Sequence, residues 1–245
     1  MVVASPRNIL LTGLPRGGSC AAGALIDGLP DTVCLNAPNW HTGIASKLRK
    51  SLPFGKWLLG DFYWQRRQLL AQIPVSDLRA GDGTPLFDGL RDPRRIADST
   101  DAPQTMEFTR PGLSEDFILC MRHHALYTAA LPTLLEFGHF RIIAVIRNPV
   151  DILLSWQHTP ALMLAPSDQH GLSAMWPQAH KVTASDMPAL DKMAQLAELF
   201  FQRYHEWQEH IDIVKYEHFV QNPLSVSHLF DMGKPPANAS NIVAP

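Results

Sequence analysis

Apolar positions along the chain fall into short unbroken runs, set between longer stretches with apolar residues at helical spacing. Residues 8–12 (Asn-Ile-Leu-Leu-Thr) read as a short buried strand. Gly13 to Gly18 make a turn, and Ser19 to Leu29 a small-residue helix with Ser19 in the capping position. Cys34 to Pro38 read as a second short strand, and residues 43–73 as largely helical with a basic face (Lys47, Arg49, Lys50, Arg66, Arg67) expected to be solvated. From Pro74 to Pro111 the periodicity fades among Gly, Asp, Pro, Arg and Thr, so this stretch reads as a long insertion or lid rather than a core element.

Order returns with a strand at Phe117 to Met121 and a helix over Ala125 to Phe137. The clearest strand is Phe-Arg-Ile-Ile-Ala-Val-Ile-Arg-Asn-Pro, residues 140–149. Its uninterrupted apolar character suits a central parallel strand covered on both faces. Val150 to Gln157 restart as a helix, and residues 158–187 read as loop. Met187 to His210 carry a helical apolar stripe (Leu190, Met193, Leu196, Ala197, Phe200, Phe201, Tyr204, Trp207). A strand and turn at Ile211 to Phe219 and a short helix at Pro223 to Phe230 complete the pattern. Strands alternating with helices predict an α/β fold with a central parallel sheet flanked by helices, and 245 residues suit one such domain with insertions as well as two small domains.

Composition changes this picture little. Apolar residues make up 46% of 245 positions, enough for a substantial core, and a formal charge of −2 provides no global field for nucleic acid, so any anion site must be local. Cys20, Cys34 and Cys120 are too few and too scattered for a disulfide framework or a zinc site, and His158, His170 and His180 lack ligand spacing; no metal is expected. Pro6, Arg7, Pro15 and Arg16 interrupt the N-terminal apolar stretch, so neither a signal peptide nor a membrane span is expected, and a reducing cytoplasm fits best.

The chemistry concentrates in two places. In the first, a strand runs through a glycine-rich turn into a helix. That layout points several backbone N–H groups and the positive end of the helix dipole at one spot, ready for phosphate or sulfate. Arg16 adds a planar charged fork, and the Ser19 hydroxyl can donate to the same group. Gly13 and Gly18 have the spacing of a Walker A loop, but Ser19 and Cys20 stand where Lys and Ser/Thr belong, which argues against a nucleotide triphosphatase. In the second, Arg147 ends the central strand and Ser155 follows eight residues on, two turns into the next helix. An arginine at the carboxyl end of a parallel strand faces the crevice where α/β proteins bind ligands, so Arg147 and Ser155 can grip one phosphate from two sides.

Together these elements resemble the sulfotransferases that use 3′-phosphoadenosine 5′-phosphosulfate. The family's first loop, Pro-Lys/Arg-Ser-Gly-Thr-Thr, is matched here by Pro15-Arg16-Gly17-Gly18-Ser19-Cys20. The resemblance assigns these residues to the 5′-phosphosulfate, with Cys20 in place of a hydroxyl donor. The family's second element, Arg-(Asp/Asn)-Pro-x-Asp-x-x-x-Ser, is complete at Arg147, Asn148, Pro149, Asp151 and Ser155 and implies a 3′-phosphate grip. Tyr216-Glu217-His218-Phe219 resembles a later Tyr-Glu-Asp-Leu segment, with Glu217 expected to bond nearby backbone amides. The resemblance covers roughly residues 8–38 and 115–230. It implies a three-layer, P-loop-like sulfotransferase fold in a single domain over residues 1–245, no metal, and a small-molecule, glycan or lipid acceptor. The Gly- and Arg/Lys-containing segment with which many relatives cover the nucleotide is not visible near Pro245, so that cover is weaker or comes from the insertion.

Transfer to a hydroxyl or amine needs a base near neutral pKa. Arg122-His123-His124 resembles the Lys-x-His segment of cytosolic relatives and places His124 in the base position, with His123 as the neighbouring alternative. Relatives that use a glutamate after the first helix have their counterpart at Leu35-Asn36-Ala37-Pro38, which carries no carboxylate. Two other readings remain: a P-loop small-molecule kinase, and a relative that binds nucleotide without transferring sulfate.

Overall fold

The computed structural model describes residues 5–36, 39–48, 51–79, 104–158 and 175–223. A five-stranded, wholly parallel sheet runs in the order β2-β5-β1-β6-β7. Its strands are β1 (Ser5–Gly13), β2 (Thr32–Asn36), β5 (Ile118–Arg122), β6 (Phe140–Ile146) and β7 (Asp212–Lys215). The helices are α1 (Ser19–Asp27), α2 (Asn39–Leu48), α3 (Ser51–Leu70), α4 (His124–Phe137), α5 (Pro149–Gln157), α6 (Pro177–Ala184), α7 (Ala189–Glu206) and α8 (Tyr216–Gln221).

Both faces of the sheet are buried, which is why its strands read as continuous apolar runs. Ile9, Leu11, Cys34, Cys120, Ile143 and Val145 point to one side and pack with Ala22, Leu25 and Ile26 of α1 and Phe219 of α8. The alternate residues Leu10, Leu35, Leu119, Met121, Ile142 and Ala144 meet Phe54, Leu58 and Phe62 of α3, Leu126 and Leu131 of α4, and Phe200 and Tyr204 of α7. This period-two division gives three layers. Because every pairing in this five-stranded sheet is parallel, the segments leaving β1, β5 and β6 start from the same end of it, the carboxyl end of the strands.

Four expectations need correction. The ends of the presumed insertion are strands: β3 (Val75–Arg79) pairs antiparallel with β4 (Gln104–Phe108), while residues 80–103 lie outside the described residues. Two of the three inward positions of β3, Asp77 and Arg79, are charged, so the apolar-polar alternation that signals a strand is hidden. Burial is made tolerable by partners: Asp77 Oδ1 accepts from Asn36 N at 2.6 Å, and Asp27 accepts from Arg79 and, at 2.7 Å, from Arg110.

The second correction is α6, which interrupts the loop expected at 158–187. It follows Trp176, buried against Phe200 and beneath the Arg203 guanidinium. Third, Arg66 does not belong to a solvated face. It donates to Phe117 O at 2.5 Å and Asn8 Oδ1 at 3.1 Å, tying α3 to the start of the sheet. Lys47 and Arg67 are exposed, and Arg49 and Lys50 lie outside the described residues. Fourth, Ser19 is the first helical residue and the cap position belongs to Gly18, which has φ +96° and makes no side-chain cap. Of the short helix expected at Pro223 to Phe230, only Pro223 lies within the described residues, as does all of the second expected strand except Ala37 and Pro38.

Candidate active site

The glycine turn is built by close backbone approach. Gly13, the last residue of β1, pairs with Val145 of β6, and a Cβ at Gly13 would collide with the Val145 carbonyl. The turn is closed by Gly17 N donating to Leu14 O at 2.8 Å. Gly18 then adopts a left-handed conformation that only glycine takes without cost, which delivers the chain into α1. Arg16 is also left-handed, at φ +64°. For a non-glycine residue that costs on the order of 1 kcal/mol, so surrounding contacts must hold it.

Two such contacts come from α5. Trp156 Nε1, buried, donates to Pro15 O at 2.8 Å, and Arg16 Nε donates to Ser155 Oγ at 2.9 Å. The second element therefore grips the first directly. Asn148 caps α5 by accepting from Val150 N at 2.9 Å, with Pro149 at the first helical position, where its missing N–H is harmless.

Arg147 leaves the carboxyl end of β6 beside the same turn. Its guanidinium stands 4.8 Å from the Tyr216 ring centroid, with Asp151 Oδ2 at 3.7 Å from one terminal nitrogen. The Nε of Arg147 is buried and has no hydrogen-bond partner among the described residues. An unpaired buried donor on a guanidinium is a standing demand for an acceptor. Glu217 Oε1 accepts from Asn148 N at 2.7 Å, the backbone contact expected of that residue.

On the other side of β1, α4 begins at His124. His123 is buried and caps the helix: its Nδ1 accepts from Leu126 N at 3.4 Å, and its backbone N donates to Leu11 O at 3.0 Å. His124 is half-buried, and its backbone carbonyl is held by hydroxyls. Thr12 Oγ1 donates to it at 2.6 Å, and Thr128 Oγ1 lies 2.9 Å from it, 2.8 Å from Thr12 Oγ1 and 2.6 Å from Tyr204 Oη. Burial pushes the Tyr204 phenol well above its ordinary value, keeping it neutral and able to donate. This chain of hydroxyls fixes the start of α4 to the end of β1, one residue before the glycine turn.

Sequence patterns alone offered no sign of three side chains that shape this edge. Trp156 anchors Pro15, although its indole N–H reads simply as part of an apolar helix. Buried His41 links α2 to α4 and α3 through Tyr127 Oη at 2.8 Å and Asp61 Oδ2 at 2.7 Å. Burial holds the His41 pKa below its usual value, against the pull of Asp61, and the neutral ring satisfies both partners. Asn36, at the end of β2, accepts from Arg122 Nε at 3.1 Å.

Comparisons with known proteins found the following similarities. The family model described as a sulfotransferase domain matches residues 6–228. Among solved structures, a sulfotransferase from Mycobacterium tuberculosis aligns with 98% of this chain and 71% of its own, at 14% identity and a TM-score of 0.39. No curated protein sequence matches the chain. With the family match spanning nearly the whole chain, the protein belongs to the sulfotransferase family.

Proposed function

We propose that this chain transfers a sulfuryl group from 3′-phosphoadenosine 5′-phosphosulfate to a hydroxyl or amine acceptor. The observation that carries the reading is the 2.9 Å bond between Arg16 Nε and Ser155 Oγ. The two presumed phosphate grips are in contact, within the span of one nucleotide. The residues fit a doubly phosphorylated adenosine: a glycine cradle with no room for side chains, a helix N-terminus, two arginines, and a buried guanidinium nitrogen that lacks an acceptor among the described residues.

In this reading Pro15, Arg16, Gly17, Gly18, Ser19 and Cys20 surround the 5′-phosphosulfate, and Arg147 with Ser155 takes the 3′-phosphate. The donor supplies an activated sulfur and a phosphate leaving group. The acceptor oxygen or nitrogen bonds to sulfur as the bond from sulfur to the bridging phosphate oxygen breaks. The acceptor proton passes to His124, and Arg16 with the loop amides stabilises the charge growing on the departing phosphate. The helix-capping bond of His123 supports His124 as the base, because that bond engages the His123 ring nitrogen Nδ1. Residues 1–245 act as one domain, with acceptor contacts supplied by the segment between Pro74 and Pro111. Acceptors are small molecules, glycans or lipids, and the setting is cytoplasmic, consistent with three unpaired cysteines.

Thermal unfolding with adenosine 3′,5′-bisphosphate, AMP or ATP tests the donor class, since a ligand that binds only the folded state raises Tm by mass action. The bisphosphate is expected to stabilise most. A larger shift with ATP and magnesium would favour phosphoryl transfer instead. Donor-dependent sulfation of a panel of phenols, sugars and lipids then separates an enzyme from a non-catalytic binder.

A further inference from the structure

The Tyr-Glu pair that opens α8 has no role in the mechanism above, yet it touches both grips. The Tyr216 ring lies so close to Gly18 that a Cβ at position 18 would fall among its ring carbons. The same ring faces the Arg147 guanidinium at 4.8 Å. The next residue, Glu217, holds Asn148 N at 2.7 Å and thereby the turn that carries Arg147. Strand order explains the convergence: β7 lies beside β6, which lies beside β1, so a residue leaving β7 can reach over the ends of both neighbours.

The geometry points to Tyr216 and Glu217 as positioning residues that join the two grips into one site. Tyr216 spans the glycine turn and Arg147, and Glu217 fixes the backbone from which Arg147 projects. A long arginine side chain loses affinity to its own rotamer freedom unless it is held before the ligand arrives. The Tyr216 ring supplies that hold through its electron-rich face, while its contact with Gly18 sets the distance between the arginine and the turn. This inference rests on the proposed bisphosphate reading of the site.

The test is to measure Kd for adenosine 3′,5′-bisphosphate and for AMP, and to take their ratio as the gain from the 3′-phosphate. Replacing the ring by Tyr216→Leu is expected to lower this gain about 5- to 10-fold, whereas Tyr216→Phe keeps it because the ring remains. In an Arg147→Ala background, Tyr216→Leu is expected to reduce the gain no further. Glu217→Ala is expected to lower the gain and Glu217→Gln to keep it, since the amide oxygen still accepts from Asn148 N. This second pair decides the matter if Tyr216→Leu does not fold. An unchanged gain in both Tyr216→Leu and Glu217→Ala, losses that add to that of Arg147→Ala, or a Phe variant as poor as Leu would each overturn the positioning role. A wild-type protein with no gain from the 3′-phosphate would overturn the bisphosphate reading first, and this inference with it.

Discussion

At the level of single residues, His123 and His124 are neighbours in sequence with different surroundings. His123 is buried with Nδ1 bonded to the α4 amide of Leu126, while His124 is half-buried at the edge from which the glycine turn departs. With His124 as the base, His124→Ala is expected to lower kcat by on the order of 100-fold or more with little change in bisphosphate affinity, checked by steady-state kinetics beside nucleotide titration. His123→Asn, which can still cap the helix, is expected to keep most of that activity. If the two results came out reversed, the assignments would be exchanged. Arg147→Ala should weaken bisphosphate binding by about 10- to 100-fold, since it removes a charged donor, and leave AMP binding nearly unchanged. Ser155→Ala removes a neutral hydroxyl that meets Arg16, so its effect on the same titration should be smaller.

Between elements, the glycine turn keeps its shape because α5 and α8 hold it from outside. Trp156→Phe deletes the indole donor to Pro15 O while preserving most of the buried ring. It is expected to cost about 1 kcal/mol of stability in denaturant unfolding and to weaken nucleotide binding several-fold. Gly18→Ala tests the same region from inside. The new methyl meets the Tyr216 ring and must adopt a left-handed backbone, so a destabilisation of about 1–2 kcal/mol is expected before any effect on binding. A variant as stable as wild type would mean that α8 is not packed on the turn.

For the molecule as a whole, the β3–β4 ribbon is attached through buried charge, and this makes stability depend on pH. Burial holds the Asp77 pKa up at about 6 against an ordinary 3.8, despite the opposing pull of Arg79. The folded state therefore favours the protonated carboxyl. Its contribution is fully present below pH 4 and is lost as pH rises through 6, a swing of about 3 kcal/mol. His41 works in the opposite sense. Its folded pKa lies below 6.5, so its contribution is present above pH 6.5 and is lost as pH falls through the folded value. Comparing wild type with Asp77→Asn isolates the first effect. The stability of wild type relative to the variant should decline between pH 4 and 6.5, and a constant difference in urea unfolding would refute the assignment.

The layered α/β plan was legible in the chain because parallel strands covered on both faces leave continuous apolar runs, as at Leu10, Leu11 and Ile142 to Val145. The two segments proposed to grip phosphate stood out for a related reason. Glycines clustered between a strand and a helix, and an arginine and a serine eight residues apart across a strand end and a helix, are patterns of local spacing. The β3–β4 ribbon was not legible, because its buried positions carry Asp77 and Arg79, whose partners Asn36 and Asp27 are distant in sequence. Nor could local pattern separate His123 from His124, since the distinction rests on a capping bond and on hydroxyls brought in from β1 and α7. Sequence alone thus determined the strands and most helices of the central layers and singled out the glycine turn and the Arg147–Ser155 pair as candidates, because these depend on short-range periodicity and backbone geometry. Tertiary structure decided which of those residues meet, because the contacts of Arg16 with Ser155 and of Tyr216 with Gly18 and Arg147 exist only once β1, β6 and β7 lie side by side.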